Sequence, residues 1–423
     1  MKKIISLFTA LMLTINFYAS DLEIDRPWYL AGEAMKVTVK IDNEQIAYAE
    51  LCDKESLAAC TVFGIYEGKG TGIVELPEDI HSGYYQLNVY SKGNAKVYSC
   101  LVPVINVIHK SNADAIKWVK IEGKDTLSYP IANQNNGELY NFNLTKPVEL
   151  REVEGHIVKA HVNNFLDGKK FSANDIRPSL SIVGKQIHYF EGKMLNDTTA
   201  VFYTYGLRGK QPLVLSAATN TGKSLPIQMI SPYACIFPQK LPYLYFHYQR
   251  QEVEKRSKEM QLHQIAIKPE EKEATIGSYA DAATEEGVPM NYDPHLYDKL
   301  PDLSYNLDEW RQFHTIHETL TEYVNHVKKD EIKGVTHLVT RGEVANYDKW
   351  PAMVFIDGMP VIDIDRLLKY DARRIHYINI YSDKFTFGNG VYKGVVSFIS
   401  RSGRLTNYPP EPNVQYLVYE FPE

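Results

Sequence analysis

The sequence predicts a mainly β protein, two β-sandwiches followed by an α+β domain. Short runs of residues alternate apolar and polar with period two along the first part of the chain. Gly, Asp and Pro clusters separate these runs at the spacing of sandwich strands. Thirty tyrosines favour β structure and contact surfaces over helix bundles. After Trp350 the pattern changes to strand, turn, helix and paired strands in quick succession.

Hydrophobic residues make up 44% of the chain and charged residues 23%, ordinary values for a globular protein. The net charge of -6 supplies no basic field, so nucleic acid is not an expected partner. Residues 1–20 carry two lysines, an apolar core from Ile4 to Ile15 and small residues at Ala19 and Ser20. That is the pattern of a signal peptide, and no cysteine follows it for a lipid anchor. No later segment approaches membrane-spanning length. The expectation is an exported protein, periplasmic or outer-membrane-associated, with no transmembrane span of its own.

In chain order, residues 21–107 read as the first sandwich, with strands over 36–41, 47–51, 72–76, 84–90 and 97–104. Cys52 and Cys60 flank a short polar run; a disulfide across a hairpin and two unpaired strand thiols both fit. No CxxC pair indicates zinc or redox work. Residues 108–145 form a polar connecting segment. A second sandwich spans 146–240, with strands over 156–160, 179–183, 200–205 and 213–216. Residues 241–300 read as a charged, Pro-rich linker with a short exposed helix around 249–260. A helix over 307–327, capped by Asp308, opens the α+β domain at 301–405, and 406–423 is a C-terminal tail.

The first sandwich resembles a macroglobulin-type (MG2) domain, an immunoglobulin-like fold. The matching residues are Tyr29, Gly32, Glu33 and Val37, then Gly72, Leu76 and Pro77. Ser82, Gly83, Tyr85, Leu87 and Tyr90 follow, and Val104 and Asn106 close the pattern. The resemblance implies a spacer or interaction surface. No cysteine lies in a thioester context, so it does not imply protease trapping. The second sandwich reads as a divergent, macroglobulin-like unit.

The last hundred residues resemble the plug domain of TonB-dependent outer-membrane receptors. The strand-turn "I-D-G-V-P" is matched by Ile356, Asp357, Gly358, Met359 and Pro360. Ile375, Ile378 and Ile380 match the next strand, and Gly388, Gly390, Gly394, Val395, Val396 and Ile399 the glycine-punctuated hairpin. Too few residues follow Gly403 for a barrel, so the expectation is a plug-like domain without its receptor. This combination of domains is similar to exported proteins of Bacteroidetes-type bacteria.

Candidate chemistry is sparse. Residues 217–224 fit a loose P-loop pattern, but Pro226 and β-forming residues replace the helix that would hold phosphates, so a hairpin turn is favoured. His314, His317 and Glu318 have the wrong order for a zinc peptidase helix. Asp363, Asp365 and Asp371 lack EF-hand spacing and suit helix caps. Aromatic clusters at 243–248 and 416–421 are read as inward-facing strand residues, with a binding platform as the alternative.

These readings converge on a non-catalytic binding or scaffold protein of the cell envelope, without catalytic residues, cofactor or metal. Its plug-like domain would dock a protein partner, such as an outer-membrane barrel or a secretion or uptake component. A glycan- or peptide-binding sandwich protein is the alternative, and a metal-dependent hydrolase a remote one.

Overall fold

The computed structural model describes residues 21–107, 117–118, 144–220, 222–241, 244–246, 250–267, 293–332, 334–341, 351–387, 390–405 and 407–423. Gly388, the segment expected to direct export, and most of the connecting segment lie outside the described residues.

The first unit is one nine-stranded sheet folded over on itself. The fold lies at strand Leu57–Tyr66, which pairs with Ile46–Cys52 along most of its length and passes to Lys69–Glu75 at Ile65 and Tyr66. One layer holds Leu22–Ile24, Ala34–Lys40 and Lys69–Glu75; the other holds Ile46–Cys52, Gly83–Tyr90 and Lys96–Ile105. Period-two alternation fills the space between them. Met35, Val37, Val39 and Val74 of the first layer meet Ala47, Ala49, Leu51, Leu87, Val89 and Val102 of the second. Asn106 ties one end: its Nδ2 donates to the carbonyls of Glu78 and Ile80 at 2.9 Å, and its backbone N donates to Ser82 Oγ at 2.8 Å.

Strand Ile46–Cys52 is buried at every position, on both faces. Antiparallel sheets commonly leave one face in water. Here the outer face, carrying Tyr48, Glu50 and Cys52, is covered by later parts of the chain.

The second unit is a sandwich of two sheets. Lys193–Met194, Thr199–Thr204, His156–Val162 and Ile227–Ile230 form one; His188–Glu191, Ile176–Ile182, Gly209–Thr219 and Ser224–Leu225 form the backbone of the other. The supposed C-terminal tail completes it. Gln415–Phe421 pairs with Gly209–Leu215 and puts Leu417, Tyr419 and Phe421 into the sandwich core. Alternation over Leu417, Tyr419 and Phe421 is a half-buried strand pattern, which the short length of the tail obscured. The Glu423 carbonyl then accepts from Gly64 N of the first unit at 3.0 Å.

The helix expected within the linker is present, but it is longer and packed rather than exposed; residues 268–292 lie outside the described residues. Arg250–Ile267 is a helix docked on the first unit, with buried Val253 joining Leu244, Trp28, Leu30, Tyr84 and Ile105. Arg256 lies over the Trp28 ring at 4.0 Å and holds Glu33 by two bonds of 3.1 and 3.0 Å. The charge of this stretch therefore serves one specific contact as well as its solvated face.

The α+β unit carries a sheet in the order Leu303–Asn306, Ile375–Phe387, Gly390–Ser400, Met353–Ile356, Met359–Pro360, the pair between the third and fourth being parallel. Helices Ile316–Glu322 and Ile364–Leu368 cover it through Ile316, Leu320, Ile364 and Leu367. The single helix expected over 307–327 is instead a 3-10 turn at Leu307–Glu309 and the short helix Ile316–Glu322. Thr315 and Glu318 form a capping box that starts the helix there. Asp308 is not its cap; Asn306 caps the 3-10 turn, and Asp308 pairs with Arg401 at 2.6 Å.

Between this unit and the C-terminal strand lies Glu411, buried, accepting from Tyr408 Oη at 2.9 Å and from Asp363 N at 3.3 Å. Burial pushes its carboxyl up to about 7; Tyr408 and Arg366 oppose this and Asp363 adds to it. Tyr416 Oη faces the same residue, accepting from its backbone N. A raised carboxyl pKa stabilises the fold fully below the unfolded value and loses that contribution as pH rises through the folded one. Stability of the wild type should therefore fall between about pH 4.5 and 7, by at most about 3 kcal/mol. Glu411→Gln should lack this slope; parallel pH profiles of the two melting temperatures would contradict the assignment.

Candidate interaction surfaces

The Ile356–Pro360 motif is not a free surface. Asp357 and Gly358 both have positive φ, 45° and 76°, as a two-residue hairpin turn of type I′ requires. A Cβ on Gly358 would lie 2.6 Å from Ile182 O and 3.1 Å from Gln186 O, because the turn presses on the edge of the second sandwich. Gly184 N donates to Asp357 O at 2.9 Å across the same seam. Ile356 and Pro360 are buried behind it. The Asp357 carboxylate, fully buried, accepts from Ser400 N at 2.7 Å, Ser400 Oγ at 2.5 Å and Leu405 N at 2.8 Å. Burial pushes this carboxyl up, against the pull of those three donors. Gly394 has φ of 89° and lies where a side chain would strike Thr340; Gly390 begins the last strand of the hairpin opposite Phe387. These residues shape and anchor the α+β unit.

A buried polar cluster joins the two sandwiches. Glu152 sits among Lys92 Nζ at 3.2 Å, His156 Nδ1 at 3.0 Å, Tyr48 Oη at 2.7 Å and Ile157 N at 2.8 Å. His156 Nε2 meets Tyr419 Oη of the C-terminal strand at 2.7 Å. Burial acts to raise the Glu152 carboxyl, but His156 and Lys92 outweigh it and hold it below the usual range. Burial lowers both Lys92 and His156 against the opposing effect of Glu152. A second carboxylate, Glu50, accepts from Ala234, Cys235 and Ile236 N at 2.6, 3.2 and 3.3 Å and from the Tyr90 hydroxyl. Cys235 has φ of 52°, which lets successive N–H groups converge on the anion as a backbone nest.

The cysteines Cys52, Cys60, Cys100 and Cys235 are free, so the Cys52–Cys60 bridge is not formed. Cys60 pairs across the strands with Glu50, while Cys52 pairs with Leu57 beyond a bulge, which sets the two at offset positions. Burial pushes the Cys52 thiol far up, and Glu50 adds to that.

The remaining motifs have structural partners. In 217–224, Ala217 and Ala218 pair with Leu225 and Ser224 in a strand-turn-strand, and Lys223 Nζ meets Asp167 at 3.2 Å. Glu318 Oε2 accepts from His314 N and Thr315 N at 3.2 Å. Asp363 caps Ile364–Leu368, Asp365 takes Lys329 Nζ and Thr336 Oγ1, and Asp371 caps Ala372–Arg374. Among the described residues no group of three or more His, Cys, Asp or Glu side chains could hold a metal ion, and no helix is long and apolar enough to cross a membrane. Of the aromatic run 243–248, the described part is buried Leu244 and a short strand Tyr245–Phe246 against Lys117–Trp118.

What sequence reading missed is an aromatic group on the outside of the α+β unit. Trp310 is 45% exposed and its ring lies 4.9 Å from that of Tyr323, with the Phe313 ring 5.2 Å from Tyr323; Phe313 and Tyr323 are half-buried. The signal was present as Trp310 and Phe313 just before the Thr315 cap, but a continuous helix there would have separated them from Tyr323.

No family model matches the chain, and no curated protein matches it. Among solved structures, native E. coli alpha-2-macroglobulin is similar over 51% of this chain at 10% identity and TM-score 0.18; this chain spans only 14% of that protein. Fibronectin(III)-like modules of Clostridium thermocellum CbhA match at 10% identity over 54% of this chain and 95% of theirs, TM-score 0.14. Titin Ig tandem domains match at 11% identity over 50% and 94%, TM-score 0.13. Likeness at these scores carries no argument, and the mainly β, sandwich architecture rests on the strands described above.

Proposed function

We propose that this chain is a non-catalytic, exported binding scaffold of the cell envelope. In this reading the plug-like α+β unit docks a protein partner, an outer-membrane barrel or a secretion or uptake component. The observation that carries it is exposed Trp310, backed by half-buried Tyr323 and Phe313, on a unit that is tied to the second sandwich through Gly358. Trp and Tyr are residue types that anchor protein interfaces, and Tyr323, packed against the core of the unit, backs the exposed Trp310 ring. The Glu152 and Glu50 clusters support a scaffold role, since they spend buried charge on fixing units relative to one another.

The test is affinity purification of the tagged full chain from gently solubilised envelopes, with Trp310→Ala,Tyr323→Ala beside the wild type. A stoichiometric envelope protein should co-purify with the wild type and be lost, by at least about tenfold in recovery, from the variant. Wild-type protein recovered alone, or equal recovery with both, would sink the docking role. Ending the chain at residue 300 is a poor substitute, because it also removes residues 415–421, which belong to the second sandwich.

A further inference from the structure

A cleft of about 620 Å³ opens between the first sandwich and the start of the second, lined by Asn43, Gln45, Tyr66, Glu44, Arg151 and Val153. Tyr66 is 79% exposed and Val153 50% exposed. Tyr66 is nevertheless held in place: it ends strand Leu57–Tyr66, pairs with Lys69, and precedes a tight turn in which Glu67 and Gly68 both have positive φ, 50° and 77°. A large aromatic side chain on a fixed backbone, with only two χ angles to settle, gives contact area at low conformational-entropy cost.

Of the three charged side chains lining the cleft, Glu44 and Arg151 neutralise each other, which leaves Glu67. Glu44, with an 8% exposed side chain, meets Arg151 Nε at 3.4 Å. The other polar walls are the amides of Asn43 and Gln45, with Glu67 at the rim. Amides and a carboxylate–guanidinium pair offer both donors and acceptors to a ligand rich in hydroxyls. A peptide is a poorer fit. At the cleft itself Ile65 N already donates to Gln45 O at 2.7 Å, and Ile65 and Tyr66 pair with Gly70 and Lys69, so little of the lining backbone is left for strand addition.

We propose that this cleft binds a neutral oligosaccharide, with Tyr66 stacking on a sugar face and Asn43, Gln45 and the Glu44–Arg151 pair taking its hydroxyls. The proposal rests on the binding part of the reading above and not on the docked protein partner. It is tested by calorimetric titration of the full chain with neutral gluco-, xylo-, manno- and chito-oligosaccharides, and with an uncharged extended peptide as a control. At least one sugar series should bind, and Tyr66→Ala should weaken it about tenfold or more while leaving the melting temperature unchanged. Tyr66→Trp should retain binding, and Trp310→Ala should leave it untouched, which separates this site from the docking surface. No binding by any sugar at about 10 mM, a dissociation constant unaffected by Tyr66→Ala, or preferential binding of the peptide at Tyr66 would each overturn it.

Discussion

A chain ended after residue 413 should fail to fold its second sandwich. The truncation removes Gln415–Phe421, which pairs with seven positions of strand Gly209–Thr219. It also takes Tyr419 and Phe421 out of the core and leaves His156 without its Tyr419 partner. Loss of one large buried aromatic costs about 3–5 kcal/mol, so losing two approaches the whole stability of an ordinary domain, about 5–15 kcal/mol. The expected result is a protease-sensitive second unit and loss of its cooperative melting transition. If 406–423 were a tail, the truncation would be silent, and an unchanged melt would refute the strand assignment.

The second large effect should come from Glu152→Ala. The wild-type carboxylate is 3% exposed and balances Lys92, whose own side chain is 2% exposed. Removing it leaves a buried ammonium without its counter-charge, and Tyr48 Oη and Ile157 N without their acceptor. Breaking a buried pair on one side costs about 3–5 kcal/mol. Chemical denaturation should show that loss as a lower midpoint with unchanged slope. Replacing both partners, Lys92→Met with Glu152→Gln, should recover a large part of it, because the uncompensated charge is gone. A double variant as unstable as Glu152→Ala would mean that packing, rather than charge, holds the joint. The Glu152 carboxyl is held below its ordinary value, so its contribution is present above the unfolded pKa and is lost as pH falls through the folded one. That acid-side loss has the opposite sign to the Glu411 slope, which appears as pH rises towards 7.

Much of the fold was legible as local pattern. The alternation over Lys36 to Ile41 sets its apolar members inward, and Asp357-Gly358 forms the two-residue turn its sequence demands. Thr315 and Glu318 carry their own helix start, so the longer helix fails on local chemistry that was there to be read. The candidate surfaces were less legible. Exposure of Tyr66 or Trp310 depends on what the rest of the chain does not cover, and no local rule reports that. Among the tyrosines, Tyr48, Tyr90 and Tyr419 turn out to be buried parts of the joints.

The sequence by itself determined the β class, the strands of the first sandwich and the turn chemistry of the last unit, because period and turn propensity act over a few residues. Tertiary structure alone decided how these pieces share their faces. It paired Gln415–Phe421 with Gly209–Leu215, a strand far earlier in the chain, and made Arg250–Ile267 a docked helix. It also converted Glu50, Lys92, Glu152 and His156 from unremarked polar residues into a buried joint. Those outcomes depend on contacts between residues far apart in sequence, where a carboxylate gains its partner only once both sandwiches have formed.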